Sequence, residues 1–252
     1  MSRIDNIFNE KSKLLMPFVV AGDPSIEATE GSIIAMSESG ADIIEIGIPF
    51  SDPIADGTII AKAMHRALHK GITPAHVIGM ISRVRPKVDI GLIVMSSYSI
   101  VRRNGSVEFI DRLAEAGIDG IIIPDIDDND ATILSSHCEL KGISFSMLIA
   151  PTTPLSRVKK LAELSSGFLY ILARTGLTGE QSEMPNLSSR LNEIRSVTDL
   201  PLAVGFGIST AAHVKQVHTS ADAAIVGSAL VRRMEESKDA AVAAKQFVSE
   251  IS

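Results

Sequence analysis

Two acidic residues near the start of the chain have types and spacing that could do proton-transfer chemistry. Glu45 stands among isoleucines in the apolar run 41–50, and Asp56 follows eleven residues later in the polar segment 51–57. A carboxylate inside a buried strand costs several kcal/mol unless it is paired, neutralised or used. Burial would raise the pKa of Glu45, which suits a general acid or base near neutral pH, whereas Asp56 on a loop would stay ionised and orient a donor. The pair predicts a catalytic site; the alternative is that Glu45 pairs with a neighbouring cation as a structural acid.

Three glycine-bearing turns later in the chain could hold a phosphate. They are Thr-Gly-Leu-Thr-Gly at 175–179, Gly-Phe-Gly-Ile-Ser at 205–209 and Gly-Ser-Ala at 227–229. Glycine lets the backbone approach an anion, and the free N–H groups at a helix start point at it. Ser209 and Ser228 could cap the helices that follow, and Ser228 could donate its hydroxyl to the phosphate. Any one of these turns alone is an ordinary tight turn, but their recurrence in successive units indicates a phosphorylated small substrate.

Other chemically capable residues narrow the reaction class. Asp125 follows a predicted strand and could be a supporting residue of the site or a helix cap. Arg174 could bind an anion or latch the polar segment 175–186, which has the composition of a lid. No lysine closes a strand, which argues against a Schiff-base aldolase. No histidine closes one either, so we predict no metal site; the histidines are His65, His69, His76, His137, His213 and His218.

The elements that must position these residues alternate regularly along the chain. Apolar runs predict eight strands, at 16–21, 43–47, 91–95, 120–124, 144–149, 167–172, 202–204 and 223–226. Helical patterns lie between them, for example at 26–39, 107–115, 155–164 and 211–218. Eight such units in 252 residues predict an α/β fold of the (β/α)8 TIM-barrel type. Residues 3–9 predict an extra N-terminal helix, and 73–84 an extra helix in the second unit.

An open, doubly wound sheet is the competing architecture. Its usual G-x-G-x-x-G fingerprint is absent after the first strand, where the sequence reads Ala-Gly-Asp-Pro. We see no linker or low-complexity segment, so we expect residues 1–252 to form a single domain. The barrel would place Glu45, Asp56 and the three turns together at the carboxyl ends of its strands.

Composition excludes several classes of protein. The net charge of −6 argues against nucleic acid and against an anionic membrane surface. No apolar run is long enough to span a bilayer, and the first residues lack the apolar core of a signal peptide, so we expect a cytoplasmic protein. Cys138 is the only cysteine and has no obvious base nearby, so we interpret it as a packed thiol.

Five segments resemble the tryptophan synthase alpha chain family, in the family's order and over the whole length. The most specific is Glu45 to Gly57, EIGIPFSDPIADG; the others are PFVVAGDP at 17–24, IPD at 123–125, RTGLTG at 174–179 and GFGIS at 205–209. The resemblance implies retro-aldol cleavage of indole-3-glycerol phosphate to indole and glyceraldehyde 3-phosphate. It implies that Glu45 is the general acid/base that protonates the indole C3 and assists removal of the glycerol hydroxyl proton. Asp56 would then accept a hydrogen bond from the indole N–H.

The resemblance also implies a set of binding positions and a partner. The substrate-binding positions are Phe18, Tyr170, Thr178, Gly179, Phe206, Gly207, Gly227 and Ser228. The partner is a beta chain that carries pyridoxal phosphate and receives indole through a tunnel in an alpha2beta2 heterotetramer, so no cofactor is expected in this chain. The interface positions are Asp52, Pro53 and Ser99.

Two loops depart from the family pattern. Ser97 and Ser99 stand where tyrosine and asparagine are usual, with Tyr98 adjacent as a partial substitute. Thr58 and Ala61 stand where proline and glutamine are common. These loops face the partner and the substrate mouth, so the departures bear on coupling more than on the core chemistry. They leave two alternatives: a non-catalytic subunit that activates the beta chain, and another phosphosugar-binding barrel enzyme.

Overall fold

Parallel strands that pair edge to edge form the inner wall of the fold. The structure, a computed structural model, describes residues 2–53, 56–173, 187–205 and 207–252. Within these residues the strands are β1 (Leu14–Val20), β2 (Ile43–Gly47), β3 (Gly91–Met95), β4 (Gly120–Ile122), β5 (Ser144–Ser146), β6 (Leu148–Ile149), β7 (Leu169–Leu172), β8 (Leu202–Gly205) and β9 (Ala223–Val226). Their spatial order is β5-β4-β3-β2-β1-β9-β8-β7-β6, and every pair is parallel.

The two strands at the ends of this order belong to one chain segment, and this closes the sheet. The sequence predicts a single strand at 144–149, whereas the structure has β5 and β6 interrupted at Met147. The Met147 N–H donates to the Ser165 hydroxyl at 3.2 Å, so this hydroxyl interrupts the regular strand pairing. β5 pairs with β4 and β6 pairs with β7, so the segment joins both edges of the sheet. The predicted (β/α)8 barrel is therefore confirmed, with its fifth strand in two parts.

Helices cover the outside of the strands and one end of the barrel. They are α1 (Arg3–Glu10), α2 (Ile26–Ser37), α3 (Thr58–His69), α4 (Pro74–Val84), α5 (Tyr98–Arg103), α6 (Ser106–Glu115), α7 (Asp128–Leu140), α8 (Leu155–Glu163), α9 (Ser188–Arg195), α10 (Ala211–Val217), α11 (Ser228–Glu235) and α12 (Ala240–Ile251). α1 is the predicted N-terminal helix, and α4 is the predicted extra helix of the second unit. In the part of the chain described, no helix is long and apolar enough to cross a membrane. That residues 1–252 form one domain stays a prediction.

Two apolar layers hold the barrel together, one inside the strands and one between strands and helices. Ile44 and Ile46 pack in the outer layer with the helices, whereas Ile43 packs in the barrel interior. Because side chains alternate along a strand, Glu45 shares the inward face with Ile43. Cys138 is buried in the outer layer, and burial raises the pKa of its thiol to about 12, which confirms the prediction of a packed thiol.

Helix α1 closes the amino-terminal end of the barrel. Its Ile4 is fully buried and packs with the interior residues Leu14 and Met16. Gly91, at the start of β3, makes room for this helix, because a Cβ there would lie 2.8 Å from the Ile4 Cδ1 atom. The Ser2 and Asp5 side chains form a capping box that fixes the helix start. In the described part of the chain, this helix therefore blocks ligand entry to the interior from the amino-terminal end.

Candidate active site

Glu45 lies on the inner wall of the barrel with no exposed surface. Its neighbours in register are Phe18 on β1 and Ile93 on β3. Neither carboxylate oxygen accepts a hydrogen bond from any residue that the structure describes. Burial, and secondly the negative charge of Asp56, raise the pKa of Glu45 to about 8. The structural alternative required a cation beside Glu45, and no ion pair to it occurs among the described residues.

Asp56 lies above Glu45, two residues before α3. Its backbone N–H donates to the Pro53 carbonyl at 3.1 Å, which folds the loop over the strand end. Burial raises the pKa of the Asp56 carboxyl to about 6. At pH 7 the site therefore contains one neutral carboxylic acid, Glu45, and one carboxylate, Asp56. Glu45 can therefore donate a proton, and Asp56 can accept a hydrogen bond.

Tyr170 is the third polar group of this interior. It is 4% exposed on β7. Burial, followed by the charges of Glu45 and Asp56, raises its pKa well above the ordinary value, so its hydroxyl is a neutral hydrogen-bonding group. Gly205 on β8 permits this placement, because a Cβ there would lie 2.6 Å from the Tyr170 hydroxyl oxygen. The structure thus brings three residues predicted from the sequence, Glu45, Asp56 and Tyr170, close enough to shift one another's pKa values.

A mostly apolar pocket of about 70 Å³ opens beside Asp56. Its lining residues are Ile48, Phe50, Asp52, Pro53, Asp56, Met64, Met95, Ser96, Ser97, Pro124 and Asp125. Sequence reasoning did not identify Met64 as a lining residue. The signal was present, because Ile60, Ala63, Met64 and Ala67 recur at helical spacing and form the buried face of α3. An apolar wall with an acceptor at its edge suits a flat aromatic ring that carries one N–H group.

The start of α11 lies next to Phe18, the neighbour of Glu45 on β1. Gly227 precedes the helix without a side-chain cap, and Ser228, which is 8% exposed, is the first helical residue. A Cβ on Gly227 would lie 3.5 Å from the Phe18 side chain. Gly207 has a φ of +83°, a conformation that favours glycine. The N–H groups at the start of α11 therefore have no capping side chain, as an anion site requires.

Two of the predicted helix caps are wrong. Ser228 lies inside α11 and not before it, and α10 is capped by the Thr210 hydroxyl in place of Ser209. Both shifts are by one residue, the usual uncertainty of a helix boundary read from sequence. The predicted positions Thr178, Gly179 and Phe206 lie outside the described residues, as do Arg174 and the segment 175–186.

Asp125 lines the pocket, in agreement with the first of its two predicted uses, a supporting residue of the site. The second use is wrong for the helix that follows, because Asp127 caps α7, and the strand β4 already ends at Ile122. Asp125 accepts hydrogen bonds from the Ser97 hydroxyl at 2.8 Å and from the Tyr98 N–H at 2.7 Å. These bonds tie the loop after β4 to the start of α5, which lies at the rim of the same pocket.

The segment 97–99, which departs from the family pattern, makes contacts within this chain. Ser97 caps α5 by accepting the Ser99 N–H. Tyr98 does not line the pocket; its hydroxyl hydrogen-bonds to Asp130, which raises the pKa of Tyr98. The predicted interface residues Asp52 and Ser99 are exposed, and Pro53 is half-buried. Asp52 and Pro53 lie on the loop after β2, and Ser99 lies in the first turn of α5. All three are at the carboxyl-terminal end of the barrel, where their role in an interface stays a prediction.

Comparison with known proteins identifies one family. The family model described as "Tryptophan synthase alpha chain" matches residues 4–251. A tryptophan synthase alpha chain of Prochlorococcus marinus (strain MIT 9313) is 43% identical over 92% of this chain and 86% of its own length. One of Cyanothece sp. (strain PCC 7425 / ATCC 29141) is 43% identical over 88% of this chain and 84% of its own.

The fold is also similar to the folds of solved tryptophan synthase structures. Mycobacterium tuberculosis tryptophan synthase superposes with a TM-score of 0.92 at 30% identity, covering 99% of this chain and 96% of that one. The tryptophan synthase alpha-subunit of Pyrococcus furiosus superposes with a TM-score of 0.89 at 32% identity, covering 96% and 98%. The barrel, the acid pair at its mouth and these likenesses together show that the chain belongs to the tryptophan synthase alpha chain family.

Proposed function

We propose that this chain cleaves indole-3-glycerol phosphate by a retro-aldol reaction to indole and glyceraldehyde 3-phosphate. The observation that carries the proposal is Glu45, a fully buried carboxyl whose oxygens accept no hydrogen bond from any described residue. Burying such a group lowers the stability of the fold, and groups of this kind concentrate at functional sites. Its pKa of about 8 keeps it protonated at neutral pH, as a proton donor to carbon must be.

The reaction needs one proton delivered and one removed. The Glu45 carboxyl protonates the indole C3, and the ring becomes a cationic indolenine whose N–H donates to the Asp56 carboxylate. The Glu45 carboxylate then takes the proton of the side-chain hydroxyl next to C3. The bond between C3 and the hydroxyl-bearing carbon breaks, its electron pair restores the indole ring, and the aldehyde forms. Glu45 ends protonated, so atoms and charges balance over the cycle.

The remaining residues of the proposed site hold the substrate. The rings of Phe18 and Tyr170 and the apolar pocket wall would pack against the indole. The N–H groups at Gly227 and Ser228, with those at Gly207, would bind the phosphate. Thr178, Gly179 and Phe206 are proposed for the same end of the substrate on the resemblance of their motifs. The phosphate would fix the substrate so that C3 meets Glu45.

The family implies a partner beta chain, and we propose that the two form an alpha2beta2 heterotetramer. Asp52, Pro53 and Ser99 would contact the partner, because they follow the carboxyl ends of β2 and β3, at the end of the barrel where indole would leave. We place pyridoxal phosphate in the partner and no cofactor in this chain. A cytoplasmic location remains an expectation from the sequence.

The test is indole formation from indole-3-glycerol phosphate by the purified chain, alone and with a beta chain. Glu45→Gln, which keeps shape but cannot exchange the proton, should lower kcat by about 10²–10⁴-fold. Glu250→Gln is the matched control, since Glu250 is an exposed partner of Arg233 on α12 and should leave the rate unchanged. If the parent makes no indole in either assay but still stimulates the beta chain, the chain is the non-catalytic activator.

A further inference from the structure

Lys13 has a backbone conformation that lysine rarely adopts. Its φ is +65°, and it is the only non-glycine residue in the described ranges with a positive φ. The left-handed region costs an ordinary residue about 1 kcal/mol or more, and such outliers concentrate at functional sites. Lys13 lies between α1 and β1, at the amino-terminal end of the barrel and opposite the catalytic mouth. The proposed lyase reaction gives it no role.

Lys13 and His218 line two cavities that adjoin at this end, of about 430 Å³ and 250 Å³. The larger lies between the turn carrying Lys13, the loop that leads into β9, and one face of α9. That face presents Ser188, Asn192 and Arg195, spaced four and three residues apart as one side of a helix requires. The cavity is therefore shaped by three separate segments and lined largely by donors.

The charges at these cavities favour an anion. Arg195 donates to Asp222 at 2.8 Å, and Lys11 to Asp42 at 2.6 Å, so these two cations are neutralised. Lys13 and Lys215 form no ion pair with any residue that the structure describes. Ser252 also lines the smaller cavity, whose acidic lining residue, Asp42, is the one paired with Lys11. The local balance is positive in a chain whose net charge is −6.

His218 stands at the boundary between the two cavities. Its Nε2 atom is 3.1 Å from the Leu14 carbonyl oxygen, so Nε2 donates and Nδ1 is the nitrogen left to respond to a ligand. Burial lowers the pKa of His218, and the nearby Lys13 and Lys11 lower it further, while the Leu14 carbonyl and Asp42 oppose this. An anion beside Lys13 would reverse part of that effect and favour the protonated ring.

We propose that Lys13, Lys215 and His218 form a second anion site, at the end of the barrel opposite the catalytic mouth, for the phosphate or pyrophosphate group of a small free molecule. Both lysines line the smaller cavity together with His218 and supply positive charge. Lys13 and His218 also line the larger cavity, whose hydroxyl and amide groups supply hydrogen bonds that a multiply charged oxyanion accepts.

The experiment titrates inorganic pyrophosphate into the full chain and follows the His218 ring signals by NMR, assigned with His218→Gln. Local signals separate this site from the proposed phosphate site at α11. We expect saturable shifts of His218 and a raised His218 pKa in the complex. Lys13→Gly removes the cation while accepting the positive φ, so it should fold and weaken binding at least about tenfold.

Lys245→Ala is the control, because Lys245 is an exposed lysine paired with Glu38 that lines neither cavity, so the variant should bind pyrophosphate like the parent. Unmoved His218 signals would overturn the proposal. So would binding of equal strength by the parent and Lys13→Gly. Neither result would bear on the proposed lyase function, because the indole assay tests that function separately.

Discussion

At the scale of single residues, burial divides two chemically similar carboxyl groups into a donor and an acceptor. Glu45 has no exposed surface and a pKa raised to about 8, whereas Asp56 is less enclosed and has a pKa raised to about 6. The two groups interact, so their titrations belong to the pair. Between these values the pair holds one proton, on Glu45, which is the arrangement that the proposed first step uses.

This assignment predicts a bell-shaped dependence of kcat/KM on pH. Activity should fall below about pH 6, where Asp56 becomes protonated, and above about pH 8, where Glu45 loses the proton it must donate. The measurement is kcat/KM for indole formation across this range, in buffers of constant ionic strength. A profile that keeps rising through pH 8 would instead make Glu45 a base that must be ionised to act.

The sequence was sufficient to predict Glu45 and Asp56, because a carboxylate among isoleucines is an energetic anomaly that needs no structure to notice. It could not predict how strongly Asp56 is enclosed, which depends on the loop folding back over the strand through Pro53. It also could not predict the contacts of Asp125, whose partners Ser97 and Tyr98 are more than 25 residues away.

At the scale of elements, one arrangement recurs where strands begin. Asp42, Asp119 and Asp222 each stand one residue before a strand. Each accepts the N–H of a neighbouring strand, from Leu15, Leu92 and Leu202, at 2.7–2.9 Å. Each also pairs with a cation, which is Lys11, Arg85 or Arg195 respectively. These aspartates fix the register of neighbouring strands at the amino-terminal end, and the register sets which side chains face inward.

Removing one such aspartate should destabilise the barrel. We expect Asp119→Ala to lower the free energy of unfolding by about 1–3 kcal/mol, because it leaves the Leu92 N–H without its acceptor and removes the ion pair with Arg85. The matched control is Asp89→Ala, whose side chain is 96% exposed and pairs with Arg3 at the same end of the barrel, and which should change little. Urea unfolding followed by circular dichroism measures both; equal effects would mean that the strand contact is unimportant.

At the scale of the whole molecule, the alternation of strands and helices was enough to predict the barrel. The interruption of the fifth strand at Met147 could not be read from 144–149, because it depends on the Ser165 hydroxyl from a different segment. The two ends of the barrel now have separate roles. The amino-terminal end carries the plug, the strand contacts and the proposed second anion site, and the other end carries the acid pair.

The burial of Glu45 also affects the free energy of unfolding of the whole fold. The pKa of Glu45 is about 8 in the folded chain and near the ordinary glutamate value of 4.5 when unfolded. Between these values the folded state binds one more proton than the unfolded state, so this group's contribution to stability is lost as pH rises. The loss should be about 1.4 kcal/mol per pH unit and should end once Glu45 ionises in the folded chain.

The most direct test is therefore the difference in unfolding free energy between the parent and Glu45→Gln, measured from about pH 4 to pH 9 by denaturant titration. Groups that do not interact with Glu45 contribute equally to both proteins and cancel. We predict that the parent loses stability relative to the variant from about pH 5 up to about pH 8, and that the difference is constant beyond. A difference that does not change with pH over this range would show that Glu45 has an ordinary pKa, and would contradict its role as the proton donor.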